Sequence, residues 1–425
     1  MKILLKNAKI LKMRDDNIIE GHVVVKDNLI SEVGPNVDLN AKYDEIIDCE
    51  GNLLMPGFKN AHTHSGMTFL RSIADDSSLH DWLFNEIFPR EDNLRKGAIL
   101  DLTKVAILEY ISGGITGCID QYFFIDEFKD TCEKMNFRSV ILAMYNEKTR
   151  PSEYILSLFK EWNKDENSLV KIAMSMHAEY TADEKMFLET KKLVELTHSP
   201  FYTHLDETYD EVKGCYDRHD MSPLEYFDSY NLFQHGGAIF HGVYLNDKEI
   251  ELLKKRNIVM VSCPASNMKL ASGVANITKL LKENVTIALG TDGPASNNAL
   301  DMFREMYLVT GLQKLITKNP VSIPAFEVLK MATVNGAIAM GLENAKYLDE
   351  GQLADIIMID LKRPEMQPII NIVSNLVYSG SKDLIKMTMI NGKIVYKDRK
   401  FYIDEDIDEI YKKVQKWTDE LSIIK

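Results

Sequence analysis

The chain has 425 residues, 45% of them hydrophobic and 27% charged, the balance of a soluble globular protein with a sizeable core. Its net charge of −14, with no long Lys/Arg run, argues against a nucleic-acid or anionic-membrane surface as main partner. No stretch approaches the roughly 20 uninterrupted apolar residues of a spanning helix, and the first residues lack a signal-peptide core, so a cytoplasmic protein is expected.

Residues 1–51 run in short β-like stretches, "KILLKNAKIL", "GHVVVKDNLISEV" and "EIIDCEG", with turn residues between them and no helical periodicity. The run "NLLMPGF" then reads as a short buried strand leading into "NAHTHSGMTFLR". On a strand, residues two apart share a face, so His62 and His64 project side by side, as two ligands of one metal ion would. Alone, His-x-His reads more readily as two unrelated polar residues in a loop. The remainder of the chain has to supply partners.

From there apolar runs alternate with amphipathic helices. "GITGCIDQYF", "RSVILAMY", "SLVKIAMSMHA", "PFYTHLDE", "GGAIFHGVYL", "IVMVSCP" and "VTIALGTDG" are each followed by a helical pattern. With the opening run this makes eight β-then-α units, whose continuous apolar strands fit a parallel sheet covered on both faces. The prediction is an α/β fold, a (β/α)8 TIM-type barrel over 52–349, with an open doubly wound sheet as runner-up. β texture returns in "ADIIMIDL" and "KMTMINGKIVYKDRKF", where Asn391-Gly392 signals a hairpin. The two β-rich ends, 1–51 and 350–402, predict one composite β-sandwich domain. Residues 403–425 predict a C-terminal amphipathic helix that packs at home or on a second copy, which leaves a homo-oligomer open. The five cysteines form no C-x-x-C pair and read as reduced core residues.

Catalytic groups of such barrels stand at the C-terminal ends of strands. Those positions hold His62, His64, His177, His204 with Glu207, His241 and Asp292. His22, His80, His198 and His219 fall elsewhere and read as surface or satisfied histidines. A carboxylate directly after a buried strand, as Asp292 is, needs a cation or donors to offset its desolvation. Imidazoles and a carboxylate without thiolates suit zinc, with iron, manganese or nickel as alternatives. The candidate ligands of one divalent ion are His62, His64, His204 and Asp292, with His241 either a further ligand or a donor to the bound water. Asp292 is also a candidate general base. Glu207 would stand on the substrate side of the metal, unless it is a helix N-terminal charge, and Asp206 is its local competitor.

These residues resemble the amidohydrolase superfamily, in its branch of 5-methylthioadenosine/S-adenosylhomocysteine deaminases and related chlorohydrolases. The resemblance spans nearly the whole chain, through "MPGFKNAHTHSGMTFLRSIADD", "HLDE", "FHGVYL", "SNMKLASGVA", "LGTDGPASNNALDMF" and "EGQLADIIMIDL". It implies metal ligation by His62, His64, His204 and Asp292, a hydrogen bond from His241 to the reactive water, and proton transfer by Glu207 to a purine ring nitrogen. The implied reaction is hydrolytic attack at C6 of an adenine nucleoside, with loss of ammonia. "DWLFNEIFPREDNL" resembles the family's mobile segment, which implies that Glu91 contacts ribose hydroxyls and Trp82 forms an apolar wall; His177 matches a substrate-facing histidine. The chain departs from the family pattern at Glu179, where proline is usual, and at Ser262-Cys263 before Pro264. In the stretch where relatives place arginines for a homocysteine carboxylate, it offers Arg138 and Arg150. Adenosine-type substrates are therefore expected over S-adenosylhomocysteine. Two alternatives remain: a deaminase or dechlorinase of another heterocycle (guanine, a pterin, a triazine), and a non-catalytic scaffold barrel.

Overall fold

The computed structural model describes residues 1–77, 81–165 and 168–422. His80 and residues 423–425 of the expected C-terminal helix lie outside them. Two sheets organise the chain. The first is mixed and nine-stranded, built from β1 (Lys2–Leu11), β2 (Ile18–Lys26), β3 (Leu29–Gly34), β4 (Glu45–Asp48) and β5 (Leu53–Pro56) at one end of the sequence. The other end contributes its remaining strands, β14 (Ile356–Ile359), β15 (Ile385–Ile390), β16 (Lys393–Lys397) and β17 (Lys400–Phe401). Side chains from β1 to β5, β14 and β15 meet in one apolar core.

The second sheet is the barrel. Its strands are β6 (Phe58–Thr63), β7 (Ile115–Asp120), β8 (Arg138–Met144), β9 (Val170–Ser175), β10 (Phe201–Leu205), β11 (Gly237–His241), β12 (Ile258–Ser262) and β13 (Ile287–Leu289). They pair in sequence order, all parallel. Successive residues alternate between two apolar layers. Ile119, Val140, Leu142, Phe240 and Val261 fill the inside, while Cys118, Ile141, Ala143, Ile239 and Met260 face the helices. The barrel is nearly closed. Across the seam between β13 and β6, the Asp292 N–H donates to the His62 carbonyl at 3.0 Å. The Asn60 side chain bridges the same seam: its Oδ1 accepts the Thr291 N–H at 2.9 Å and its Nδ2 donates to Thr291 Oγ1 at 2.7 Å.

Two expectations on boundaries need correction. The run "LLMP" does not lead into His62 as one strand. It is β5, paired antiparallel with β14 and parallel with β1 in the mixed sheet, and the barrel begins at Phe58. The chain changes sheets at Gly57, where a Cβ would fall 2.2 Å from Thr116 Cγ2, so only glycine can pass. The second correction concerns 350–402, which is not purely β. Between β14 and β15 it carries the helix Ile372–Tyr378, whose buried Ile372, Val373, Leu376 and Val377 join the main core with Phe303 and Val309 of a barrel helix.

A buried ion cluster ties the sheets together. Arg138, at the start of β8, donates from Nε and Nη2 to both oxygens of Asp355 at 2.8 and 3.2 Å. Lys59 of β6 lies 3.6 Å from the same carboxylate and donates to Thr116 Oγ1 at 2.6 Å. The C-terminal helix Ile407–Ser422 packs at home: Trp417 Nε1 donates to Asp101 at 3.1 Å, on the helix Ala98–Ser112. All five cysteines are buried and free. No described helix is long and apolar enough to cross a membrane.

Candidate active site

The strand-end residues converge at one mouth of the barrel. His62 lies in β6 and His64 just beyond it, His204 lies in β10, His241 ends β11, and Asp292 follows β13. Left-handed backbone at His241 (φ 75°) and Asp292 (φ 58°) turns both side chains out of the strand direction, a conformation that concentrates at functional sites. One donor atom from each of His62, His204, His241 and Asp292 lies within 4.8 Å of all the others. His64 Nε2 completes the ring, 3.2 Å from Asp292 Oδ1 and 3.3 Å from His204 Nε2. His62 Nε2 is 3.4 Å from the same Asp292 oxygen. The five residues expected around one point are there. His241 belongs to the group of four whose donor atoms all lie within 4.8 Å of one another, and His64 stands beside that group.

Outer contacts fix the tautomers. His64 Nδ1 lies 2.6 Å from the Gln121 carbonyl and His204 Nδ1 lies 2.9 Å from the His177 carbonyl. A carbonyl only accepts, so each Nδ1 carries hydrogen and each neutral ring presents a bare Nε2 lone pair. Those two lone pairs face one another at 3.3 Å, beside a carboxylate oxygen. His62 is fully buried, stacks on Phe240 with ring centroids 3.8 Å apart, and has no hydrogen-bond partner at either nitrogen. Lone pairs converging in this way repel unless a proton or a metal cation lies among them. The donor set fits a divalent ion, with ring nitrogens held by carbonyls as metal-binding histidines usually are.

The charge balance agrees. Burial lowers His62 to a pKa of about 3 and His177 to about 4, keeping both neutral. Burial also opposes charge on His64, but Asp292 and the Gln121 carbonyl outweigh it and raise that pKa to about 9. Asp292, although its burial works against ionisation, is held well below the usual carboxylate range by His62 and His64. The carboxylate thus draws one positive charge inward, a charge that a bound cation would supply instead.

Sequence reasoning missed the residues that orient these groups. Ser266 and Ser296 both donate to Asp292 Oδ2 at 2.6 Å, which leaves Oδ1 facing the histidines. The His241 Nδ1–H donates to Asn267 Oδ1 at 2.8 Å and turns Nε2 to the site. All three lie in stretches that carry the resemblance, "SNMKLASGVA" and "GTDGPASNNALDMF", and position there was the only available signal.

Above the cluster opens a cavity. Its walls include Trp82, Glu91, His177, Glu207, His241 and Asp292, with Met67, Phe88, Tyr122, Tyr180 and Leu270 among its apolar lining. Glu207 accepts from Ser272 Oγ at 3.3 Å and lies 3.8 Å from His241 Nε2; burial raises its pKa. Its competitor Asp206 does not line the cavity. Burial, then Glu249 and Glu211, drive the Asp206 pKa far up. Glu91 is buried, accepts from the Tyr122 hydroxyl at 2.7 Å, and is raised to about 7, chiefly by burial.

An adjoining cavity shares Glu91 and Phe123 and is lined by Asn146, Thr149, Arg150 and Tyr154. Arg150 is the cation there; Arg138 is committed to Asp355 far from the mouth. The departure at Glu179 is accommodated: its buried carboxylate pairs with Arg218 and lies 2.8 Å from His219 Nε2.

Comparison with known proteins agrees with this geometry. The Amidohydrolase family profile matches residues 53–395. A protein of Thermococcus sibiricus named 5-methylthioadenosine/S-adenosylhomocysteine deaminase is 40% identical over 93% of this chain and 94% of its own. One of Methanosphaera stadtmanae named 5'-deoxyadenosine deaminase is 34% identical over 96% of each. Among solved structures, an adenosine deaminase from Xanthomonas campestris with bound zinc superposes with a TM-score of 0.92 at 30% identity, covering 99% of this chain and 98% of that one.

Proposed function

The chain belongs to the amidohydrolase family, and from that premise we propose that it is a zinc-dependent hydrolytic deaminase of adenine nucleosides. The carrying observation is the convergence of His62 and His64 on Asp292 Oδ1, with His204 Nε2 against His64 and both His62 nitrogens unpartnered, under a cavity that also holds two buried glutamates whose pKa burial raises. His62, His64, His204 and Asp292 would hold the ion, with His241 beside it. Bound there, a divalent ion acts as a Lewis acid and lowers the pKa of water to about 7.

The remaining work falls to the chain's own groups. Ser266 and Ser296 hold Asp292 Oδ2, which leaves Oδ1 facing the site, where it would also take a proton from water. His241 Nε2, oriented by Asn267, hydrogen-bonds the attacking oxygen. Glu207, whose pKa burial raises, gives a proton to the purine ring nitrogen next to C6. Water adds at C6, the proton taken by Asp292 passes to the amino nitrogen, which leaves as ammonia, the remaining hydroxyl proton returns to Glu207, and an inosine-type nucleoside remains.

Glu91 would receive the ribose hydroxyls, Trp82 would wall the apolar side, and His177 would face the ring system. The tail preference follows from charge. With Arg138 engaged by Asp355, Arg150 alone of that pair lines the adjoining cavity. Adenosine, 5'-deoxyadenosine and 5'-methylthioadenosine are therefore better substrates than S-adenosylhomocysteine. Ultraviolet monitoring of zinc-loaded protein with these four tests the reading, because adenine and hypoxanthine absorb differently. Fast conversion of the uncharged three supports it; no conversion of any would move the search to other aminated or halogenated rings.

A further inference from the structure

We propose that Glu211 is a positioning residue for Glu207, its two carboxylate oxygens fixing the backbone turn that aims Glu207 into the cavity. The inference rests on the proton-donor role given to Glu207. Glu211 Oε1 accepts the Asp206 N–H at 3.1 Å, and Oε2 accepts the Glu207 N–H at 2.8 Å. The side chain is buried yet does not line the cavity, so Glu211 acts through Glu207 rather than on a substrate.

The turn needs such a hold. Asp206 sits at φ 55°, a conformation that residues with a Cβ disfavour. In that conformation Asp206 is turned away from the cavity while Glu207 faces it. The opposite side of the turn is also tied: the Asp206 carbonyl accepts from the N–H groups of Val243 and Tyr244 at 2.8 and 3.0 Å. The Leu205 carbonyl accepts from Gly242 at 3.1 Å. Glu207 is thus held between Glu211 and the loop that leaves His241. Glu211 is itself anchored in the first turn of the helix Tyr209–His219, where its N–H donates to Thr208 Oγ1 at 3.2 Å.

Each oxygen serves a different amide, which makes the carboxylate specific. Glutamine offers one acceptor oxygen and would turn an NH2 group against the other N–H. The test uses zinc-loaded full-length protein, wild type and Glu211→Gln, with metal content, kcat and KM for adenosine, and amide hydrogen exchange across 201–211. The expected result is an unchanged metal content and a kcat lower by up to about 10²-fold, since small misplacement of a catalytic group costs that much. KM stays close to wild type, and the amides of Asp206 and Glu207 exchange faster while those of β10 do not. Glu211→Asp keeps both acceptors on a shorter arm and reads the same effect should the glutamine variant not fold. An unchanged kcat overturns the proposal, as does loss of metal in proportion to activity. If the wild type deaminates no adenine nucleoside, the functional reading fails on its own, and unchanged protection of the two amides would still overturn the positioning role.

Discussion

At the lower end of the barrel, Asp355 lies between Arg138 and Lys59 with both oxygens engaged, and the Asn391 N–H adds a further bond at 2.8 Å. At the upper end, Asp292 Oδ1 lies 3.4 Å from His62 Nε2 and 3.2 Å from His64 Nε2, His204 Nε2 lies 3.3 Å from His64 Nε2, and neither His62 nitrogen has a hydrogen-bond partner. Both carboxylates are buried, and β6 carries a partner of each, Lys59 and His62. One cluster is closed and complete; the other is complete only around a cation, and a cavity opens over it. The contrast separates structural charge from functional charge by hydrogen-bond accounting alone.

The largest expected effect is at the upper end. Glu207→Gln should retain the metal and the melting temperature but lose about 10²- to 10⁴-fold in kcat, the usual size of a general acid–base contribution. A rate near wild type would remove Glu207 from the mechanism. The lower cluster should respond in the opposite currency. Arg138→Ala, by stranding part of a buried ion cluster, should cost about 3–5 kcal/mol of stability in urea denaturation, with metal content and kcat of the folded fraction unchanged. Equal stability would mean that the lower cluster is not what joins the two sheets.

Finer changes sharpen the same contrast. Ser296→Ala frees one bond to Asp292 Oδ2, and second-layer losses of this kind weaken metal affinity by about 10- to 100-fold. Competition against a chelator measures it, and Ser266→Ala should match. The smallest effect is a pH dependence. Because burial raises Glu91 to about 7, it carries a proton below that pH and gains its charge above it. Ribonucleoside KM should therefore rise as pH falls through about 7, and Glu91→Gln should flatten that rise. The same profile in both forms would detach Glu91 from ribose.

The barrel was legible because its strands are apolar on both faces and each is followed by a helix with a 3.6-residue period. The convergence of His62, His64, His204, His241 and Asp292 was legible from their places at strand ends. Other features were not. "LLMP" is as apolar as a barrel strand, and nothing local shows that it pairs with β14, some 300 residues away. The choice between Asp206 and Glu207 is made by one left-handed residue and by a carboxylate on the next helix, both invisible to pattern. Likewise Arg138 finds Asp355 across 217 residues, a structural tie that its place in a strand does not reveal. Long-range pairings and backbone sign are what a one-dimensional reading lacks.

One measurement bears on the upper cluster most directly: metal content and adenosine deamination followed together through chelation and zinc repletion of the wild-type protein. One divalent ion per chain, with deamination lost on its removal and regained on its return, is the predicted result. Full turnover by metal-free protein, or no stoichiometric metal under any loading condition, would contradict it.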